Sequence, residues 1–127
     1  LSKAELLLHE LSRLVREPPE SKNIELLAVA AELTRLLGGG RLLMCKSGKD
    51  RTSMSVTLEH GRLLRDHHGL DDAEATHAVG VLRRHGVRRE NVRRNMGSRC
   101  YAFNDAQQWF LPPALQPPKG AARGGTA

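Results

Sequence analysis

Hydrophobic positions recur at helical spacing through most of the chain. Ala4, Leu7, Leu8, Leu11, Leu14 and Val15 fall three or four residues apart, which predicts an amphipathic helix. Ser2 and Glu5 read as a capping box at its start, and Pro18-Pro19 as its stop. A second helix is predicted from about Lys22 to Leu37. Ile24, Leu27, Ala28 and Ala31 are joined there by Leu26, Val29, Leu33 and Leu37 on other faces, and such breadth calls for burial on more than one side. Gly38-Gly39-Gly40 ends that helix, and the apolar run Leu42-Leu43-Met44 follows as the one convincing strand. Ser53 to Asp66 is helix-compatible, buries Met54, Leu58 and Leu64, and is closed by Gly69. The next helix opens at Asp71 or Asp72 with Glu74 in its first turn, packs through Ala75, Ala78, Val79 and Leu82, and ends at Gly86. Shorter helices are expected at Glu90 to Met96 and at Asn104 to Phe110. From Pro112 onward prolines and small residues predict an irregular tail, disordered by Gly120.

Between the strand and the third helix lies Cys45-Lys46-Ser47-Gly48-Lys49-Asp50-Arg51-Thr52, a cysteine six positions before an arginine. A loop that wraps a phosphate must aim successive backbone N–H groups inward, and a following helix adds its positive dipole end. Gly48 lets the backbone approach closely. The field that binds phosphate also favours the thiolate, which makes Cys45 the candidate nucleophile. Arg51 offers a planar fork of donors for two phosphate oxygens, and Thr52 a hydroxyl for the sulfur. Asp50 is the candidate general acid, with orientation of Arg51 as the alternative role. Lys46 and Lys49 add positive charge to the mouth, and Ser47 completes the phosphate-binding stretch. That excess suits a substrate with more than one phosphate. The implied reaction is attack of the thiolate on phosphorus, then hydrolysis of the cysteinyl phosphate, with loop donors carrying the charge and no metal or other cofactor called for. The bland reading is a small buried cysteine in a chance match. The nucleotide-binding P-loop is excluded, because Asp50 and Leu43 stand where Ser or Thr and Gly are required.

Composition narrows the partners only a little. A net charge of +6 favours anionic partners in general, lipid headgroups and nucleic acid alike. The pairs Arg83-Arg84, Arg88-Arg89 and Arg93-Arg94 imitate a nucleic-acid patch, but their spacing and Gly86 scatter them around helix faces with no aromatic platform. A solvated basic surface facing a membrane or another domain is the better reading. Two distant cysteines build no disulfide framework. No apolar run is long enough to span a membrane, so a cytoplasmic, peripherally membrane-associated protein is expected. His67, His68 and Cys100 match no common zinc spacing; Cys100 is read as a structural thiol, Met44 as strand packing and Trp109 as a core or interdomain anchor.

The loop and its continuation through Leu64-Arg65-Asp66-His67-His68 resemble the C-terminal part of the inositol polyphosphate 4-phosphatases. Glu90-Asn91-Val92, Arg99-Cys100-Tyr101-Ala102-Phe103-Asn104 and Pro117-Pro118-Lys119-Gly120 are similar to later segments of that family. The resemblance implies removal of the 4-phosphate from phosphatidylinositol 3,4-bisphosphate and related inositol phosphates, without magnesium. By carry-over, Cys45 matches the nucleophile, Arg51 the phosphate-binding arginine, and Lys46 and Lys49 the basic loop positions. Gly48 stands where other members carry alanine. Members are several times longer, so a chain starting at Leu1 reads as a C-terminal piece. The expected fold is α/β: a strand–phosphate loop–helix of a cysteine phosphatase core, mostly helical here, with the rest of the sheet missing. Residues 1–111 would be the C-terminal portion of the phosphatase domain and 112–127 a Pro/Gly-rich tail. The rival readings are an inactive fragment that binds anionic phosphoinositides and, last, a basic nucleic-acid module.

Overall fold

A computed structural model describes residues 1–17 and 23–123. The chain divides into two compact units, Leu1–Leu42 and Leu43–Ala127.

In the first unit, α1 (Lys3–Arg16) packs on α2 (Glu25–Leu36). The capping box forms as the sequence predicts: Glu5 N donates to Ser2 Oγ at 3.3 Å, and Ser2 N to Glu5 Oε2 at 2.7 Å. Leu14 and Ala31 are the buried contacts. An ion pair from Lys3 to Glu32 at 2.8 Å joins the start of α1 to the later part of α2, which makes the pair antiparallel. Only one stripe of α1 is covered. Ala4, Leu7 and Leu11 are half-buried beside Leu14, whereas Leu8 and Val15 are exposed. The Pro18-Pro19 stop and the Lys22 start lie outside the described residues.

The second unit is built on α3 (Asp50–His68), α4 (Asp72–His85) and α5 (Val87–Met96), followed by the short α6 (Asp105–Trp109) and a 3-10 turn at Pro113–Leu115. Asp71 and Glu74 form the second capping box, at 2.8 and 2.9 Å. α3 ends at Gly69 with φ 75°, a left-handed cap that favours glycine. α3 and α4 approach closely because Gly61 has no side chain: a Cβ there would lie 2.4 Å from Val79 Cγ2. Met54, Val92, Tyr101, Phe103, Ala121 and Ala122 form the core. The Pro-rich stretch expected to be a disordered tail thus packs into the core through residues 121 and 122, while residues 124–127 lie outside the described residues.

A buried arginine ties this core together. Arg83 donates to Thr57 Oγ1 at 2.9 Å, Met54 O at 2.9 Å, Ala114 O at 2.8 Å and Gln116 O at 3.0 Å. Its own carbonyl accepts from the Tyr101 hydroxyl at 2.9 Å. Burial pushes the guanidinium pKa down to about 10, with Tyr101 acting in the opposite direction. Arg83, which its sequence groups with the solvated basic pairs, is instead buried at 5% exposure.

The expected α/β class is overturned. Among the described residues there is no strand and no sheet, only an isolated parallel bridge between Tyr101 and Ala122. Leu42 to Cys45 keeps the alternation of an extended segment, with Leu42 and Met44 exposed and Leu43 and Cys45 half-buried. No neighbouring strand pairs with it, so the period-2 signal describes an extended lead-in to the loop. Met44, at 80% exposure, does not pack as a strand residue. Trp109 is likewise exposed, which removes it from the core.

Candidate functional site

The lead-in delivers Cys45 to a tight turn closed by a hydrogen bond from Gly48 N to Cys45 O at 3.2 Å. Gly48 adopts φ +63°, a conformation a side chain resists, and this left-handed step swings the chain into α3. α3 begins at Asp50, three residues earlier than its sequence pattern predicts. Its first helical hydrogen bond runs from Ser53 N to Lys49 O, and Lys49 at the N-cap supplies no side-chain cap. The N–H groups of Asp50, Arg51 and Thr52, ahead of that bond, therefore have no helical partner.

The Cys45 sulfur takes up part of that donor field. Burial pushes its thiol up, but the Thr52 hydroxyl, the Thr52 N–H and the N–H groups of Ser47 and Gly48 together pull it down to about 7. Thr52 Oγ1 is buried and makes no hydrogen bond of full geometry, which leaves its proton available to the sulfur. Cys45 is thus a half-buried thiol whose pKa is lowered by the donors around it.

The charged residues around it divide into two groups. Lys49 and Asp50 are mostly buried and paired to each other at 2.9 Å. The second Asp50 oxygen accepts from Ala102 N at 2.9 Å, so the carboxylate ties the helix start to the segment that carries Tyr101 and Phe103. Lys46 and Arg51 are exposed on the turn and the first helical turn. The structure brings Cys45, Ser47, Gly48 and Thr52 together around the sulfur, holds Lys49 and Asp50 as a brace, and leaves Lys46 and Arg51 facing solvent.

Two residues that sequence reasoning missed also hold the loop. Arg88 donates to Gly48 O at 2.5 Å and to Ser53 Oγ at 3.3 Å, and Asn91 Nδ2 donates to Gly48 O at 3.3 Å. Both lie on α5. Their polar character was visible, but their pairing with Gly48 has no local signature. Also on α5, Glu90 gathers Arg93 and Arg94 of the same helix and Arg99 from beyond its end, at 2.6, 3.6 and 3.4 Å. The Arg93 hydrogen bond leads in holding the Glu90 carboxyl down at about 2, despite an opposing desolvation effect. Among the described residues no group of three or more His, Cys, Asp or Glu side chains is placed to hold a metal ion.

This loop sits inside a matched region. Residues 2–114 match the family described as INPP4A C-terminal domain. The chain belongs to that INPP4A C-terminal domain family. Over 99 residues it is 48% identical to the type II inositol 3,4-bisphosphate 4-phosphatase of Rattus norvegicus and to inositol polyphosphate 4-phosphatase type II of Homo sapiens. The stretch is 78% of this chain but 11% of either relative, so the chain spans a small part of their length. It is also 34% identical over 100 residues to the phosphatidylinositol 3,4,5-trisphosphate-dependent Rac exchanger 2 protein of Homo sapiens, covering 79% of this chain and 6% of that protein. No solved structure gives a significant match. This member of the INPP4A C-terminal domain family has, among its described residues, no helix long and apolar enough to cross a membrane.

Proposed function

We propose that this chain carries the phosphate-handling loop of a phosphoinositide 4-phosphatase, acting on phosphatidylinositol 3,4-bisphosphate and related inositol phosphates. The observation that carries this reading is the Cys45 thiol, held at about 7 by the Thr52 hydroxyl and the loop N–H groups against its own burial. A thiolate at the mouth of a helix start is a nucleophile placed where an anion is attracted. In the first step its lone pair attacks phosphorus and the inositol oxygen leaves with the bonding electrons, taking a proton from solvent water. Water then displaces the cysteine, and Thr52 stabilises the departing thiolate. Arg51 and Lys46, both exposed, are free to close on the phosphate groups as substrate arrives. Asp50, whose two oxygens accept from Lys49 and Ala102 N, fits a loop brace better than a proton donor. The reaction would take place at an anionic membrane surface, with the protein peripheral and cytoplasmic. The names of the two 4-phosphatase relatives support the substrate class.

The test is phosphate release from vesicles of phosphatidylinositol 3,4-bisphosphate by the protein carrying this chain and by its Cys45→Ser variant. The variant is expected to lose release by at least ~100-fold, as for removal of a nucleophile that acts as part of a unit. Equal release would remove Cys45 from its role. A second reading, capture of phosphoinositides without turnover, is favoured by the similarity to a protein named for dependence on a phosphoinositide and for Rac exchange. Vesicle retention that survives Cys45→Ser, with no phosphate released by either form, would select it.

A further inference from the structure

The Gly48–Lys49 peptide is fixed by contacts from outside the loop. Its carbonyl accepts from both Arg88 Nη2, at 2.5 Å, and Asn91 Nδ2, at 3.3 Å, two donors on successive turns of α5. A peptide is planar and trans, so a carbonyl held toward α5 directs the Lys49 N–H of the same plane to the opposite side. The carbonyl direction also sets ψ of Gly48, a residue at φ +63° that has more than one backbone state open to it. Gly48 is the least restrained residue of the loop by type, and it receives the most restraint from elsewhere. A Cβ at Gly48 would meet no atom within 4 Å, so crowding does not hold it in place. The hydrogen bonds from α5 do.

We infer that Arg88 and Asn91 are positioning residues: they lock the Gly48–Lys49 peptide carbonyl-outward and thereby keep the loop's N–H groups turned toward the Cys45 sulfur and any anion beside it. This deepens the function proposed above and rests on the loop being an anion-binding one. The lock has two parts of different character. Arg88 also reaches Ser53 Oγ, so it couples the loop carbonyl to the first turn of α3. Asn91 is neutral, so its contribution is one of direction and not of charge. The charged groups around the loop are Lys46, Lys49, Asp50 and Arg51 of its own stretch and Arg88 from α5. Only the last is altered by the variants below.

The experiment follows Cys45 directly. Iodoacetamide labelling is measured across pH 5.5–9.5 by peptide mass spectrometry, which separates Cys45 from Cys100, for the intact protein and for Asn91→Ala, Arg88→Lys and Arg88→Ala. The intact protein is expected to label with a midpoint near the Cys45 value of about 7. Asn91→Ala and Arg88→Lys keep the net charge and are expected to move the midpoint up toward the ordinary thiol value of ~8.5, with labelling at pH 7 slowed about three- to tenfold. An Arg94→Ala control, on the exposed side of α5, is expected to label like the parent. A merely structural role would lower the melting temperature without moving the midpoint. Unchanged midpoints in Asn91→Ala and Arg88→Lys, with both proteins folded, overturn the lock. Should Arg88→Lys fail to fold, Asn91→Ala decides alone. The outcome is separable from the catalytic reading: a shifted midpoint in a protein whose Cys45→Ser form still releases phosphate keeps the lock and removes the nucleophile.

Discussion

At the scale of single residues, the chemistry depends on what surrounds one sulfur. Desolvation alone would raise the Cys45 thiol, and the opposing donors reverse the sign. Among them the Thr52 hydroxyl is the one that a substitution can remove cleanly, because the others are backbone groups. Thr52→Val keeps the shape of a side chain that is 6% exposed and deletes its proton donor. The expected result is a rise of the Cys45 pKa above about 7, read as slower alkylation at pH 7 with an unchanged rate above pH ~9.5, where either form is thiolate. An unaltered profile would place the field elsewhere. The same shift has a consequence for stability. A thiol held below its unfolded value stabilises the fold fully at pH above that unfolded value of ~8.5, and the contribution is lost as pH falls through about 7. Cys45 is only half-buried, so solvent screening keeps this effect small. Position 83 makes the contrasting case. Charge buried at Arg83 is satisfied by neutral oxygens only, so its value is in cross-linking α3, α4 and the 114–116 stretch.

Elements were legible where the signal is local. The predicted capping box, Ser2 with Glu5, forms, and a second one closes at Asp71 and Glu74, where the sequence places a helix start with Glu74 in its first turn, because a cap needs only residues three apart. The expected strand at Leu42–Met44 does not form, for the converse reason. Alternation at Leu42–Cys45 reports an extended backbone, but a strand exists only when another segment pairs with it, and that is a property of distant sequence. Arg88 and Asn91 stand 40 and 43 residues from Gly48, and the Arg83 donors reach 26 to 33 residues away. Arginines in a basic run carry no mark of which one turns inward. The α3–α4 contact is a further case, since Gly61 inside a helical pattern reads as a weakness and is the point of closest approach. Gly61→Ala would improve helix propensity by ~1 kcal/mol on an isolated helix. Here its methyl would fall 2.4 Å from Val79 Cγ2 and 3.3 Å from Ala75 O, so one helix must shift. Overpacking of this kind costs about 1–3 kcal/mol and outweighs the propensity gain. Thermal melting of the variant is therefore expected to fall, and the double variant Gly61→Ala with Val79→Ala to recover part of the loss. A Gly61→Ala protein that melts higher than the parent would show that the helices are free to separate.

At the scale of the whole molecule, the proposed contact with anionic membranes can rest on diffuse charge or on the loop. The chain carries a net +6, yet the count overstates what is free to act. Arg93, Arg94 and Arg99 gather on Glu90, Arg65 pairs with Asp66 and Asp72, and Arg83 is buried. Lys46 and Arg51, by contrast, are exposed at the turn and the first turn of α3. Diffuse attraction is screened over a Debye length of ~10 Å at 0.1 M salt and ~3 Å at 1 M, whereas phosphate groups seated against loop N–H donors are screened less. Vesicles of phosphatidylserine and vesicles of phosphatidylinositol 3,4-bisphosphate, matched in total charge, separate the two. Both should retain the protein at ~0.05 M salt. At ~0.5 M the phosphatidylserine vesicles are expected to release it, while the bisphosphorylated lipid keeps a fraction that disappears in the Lys46→Ala, Arg51→Ala double variant. Parallel loss from both lipids with rising salt would mean that the surface as a whole, and not the loop, is what the membrane meets.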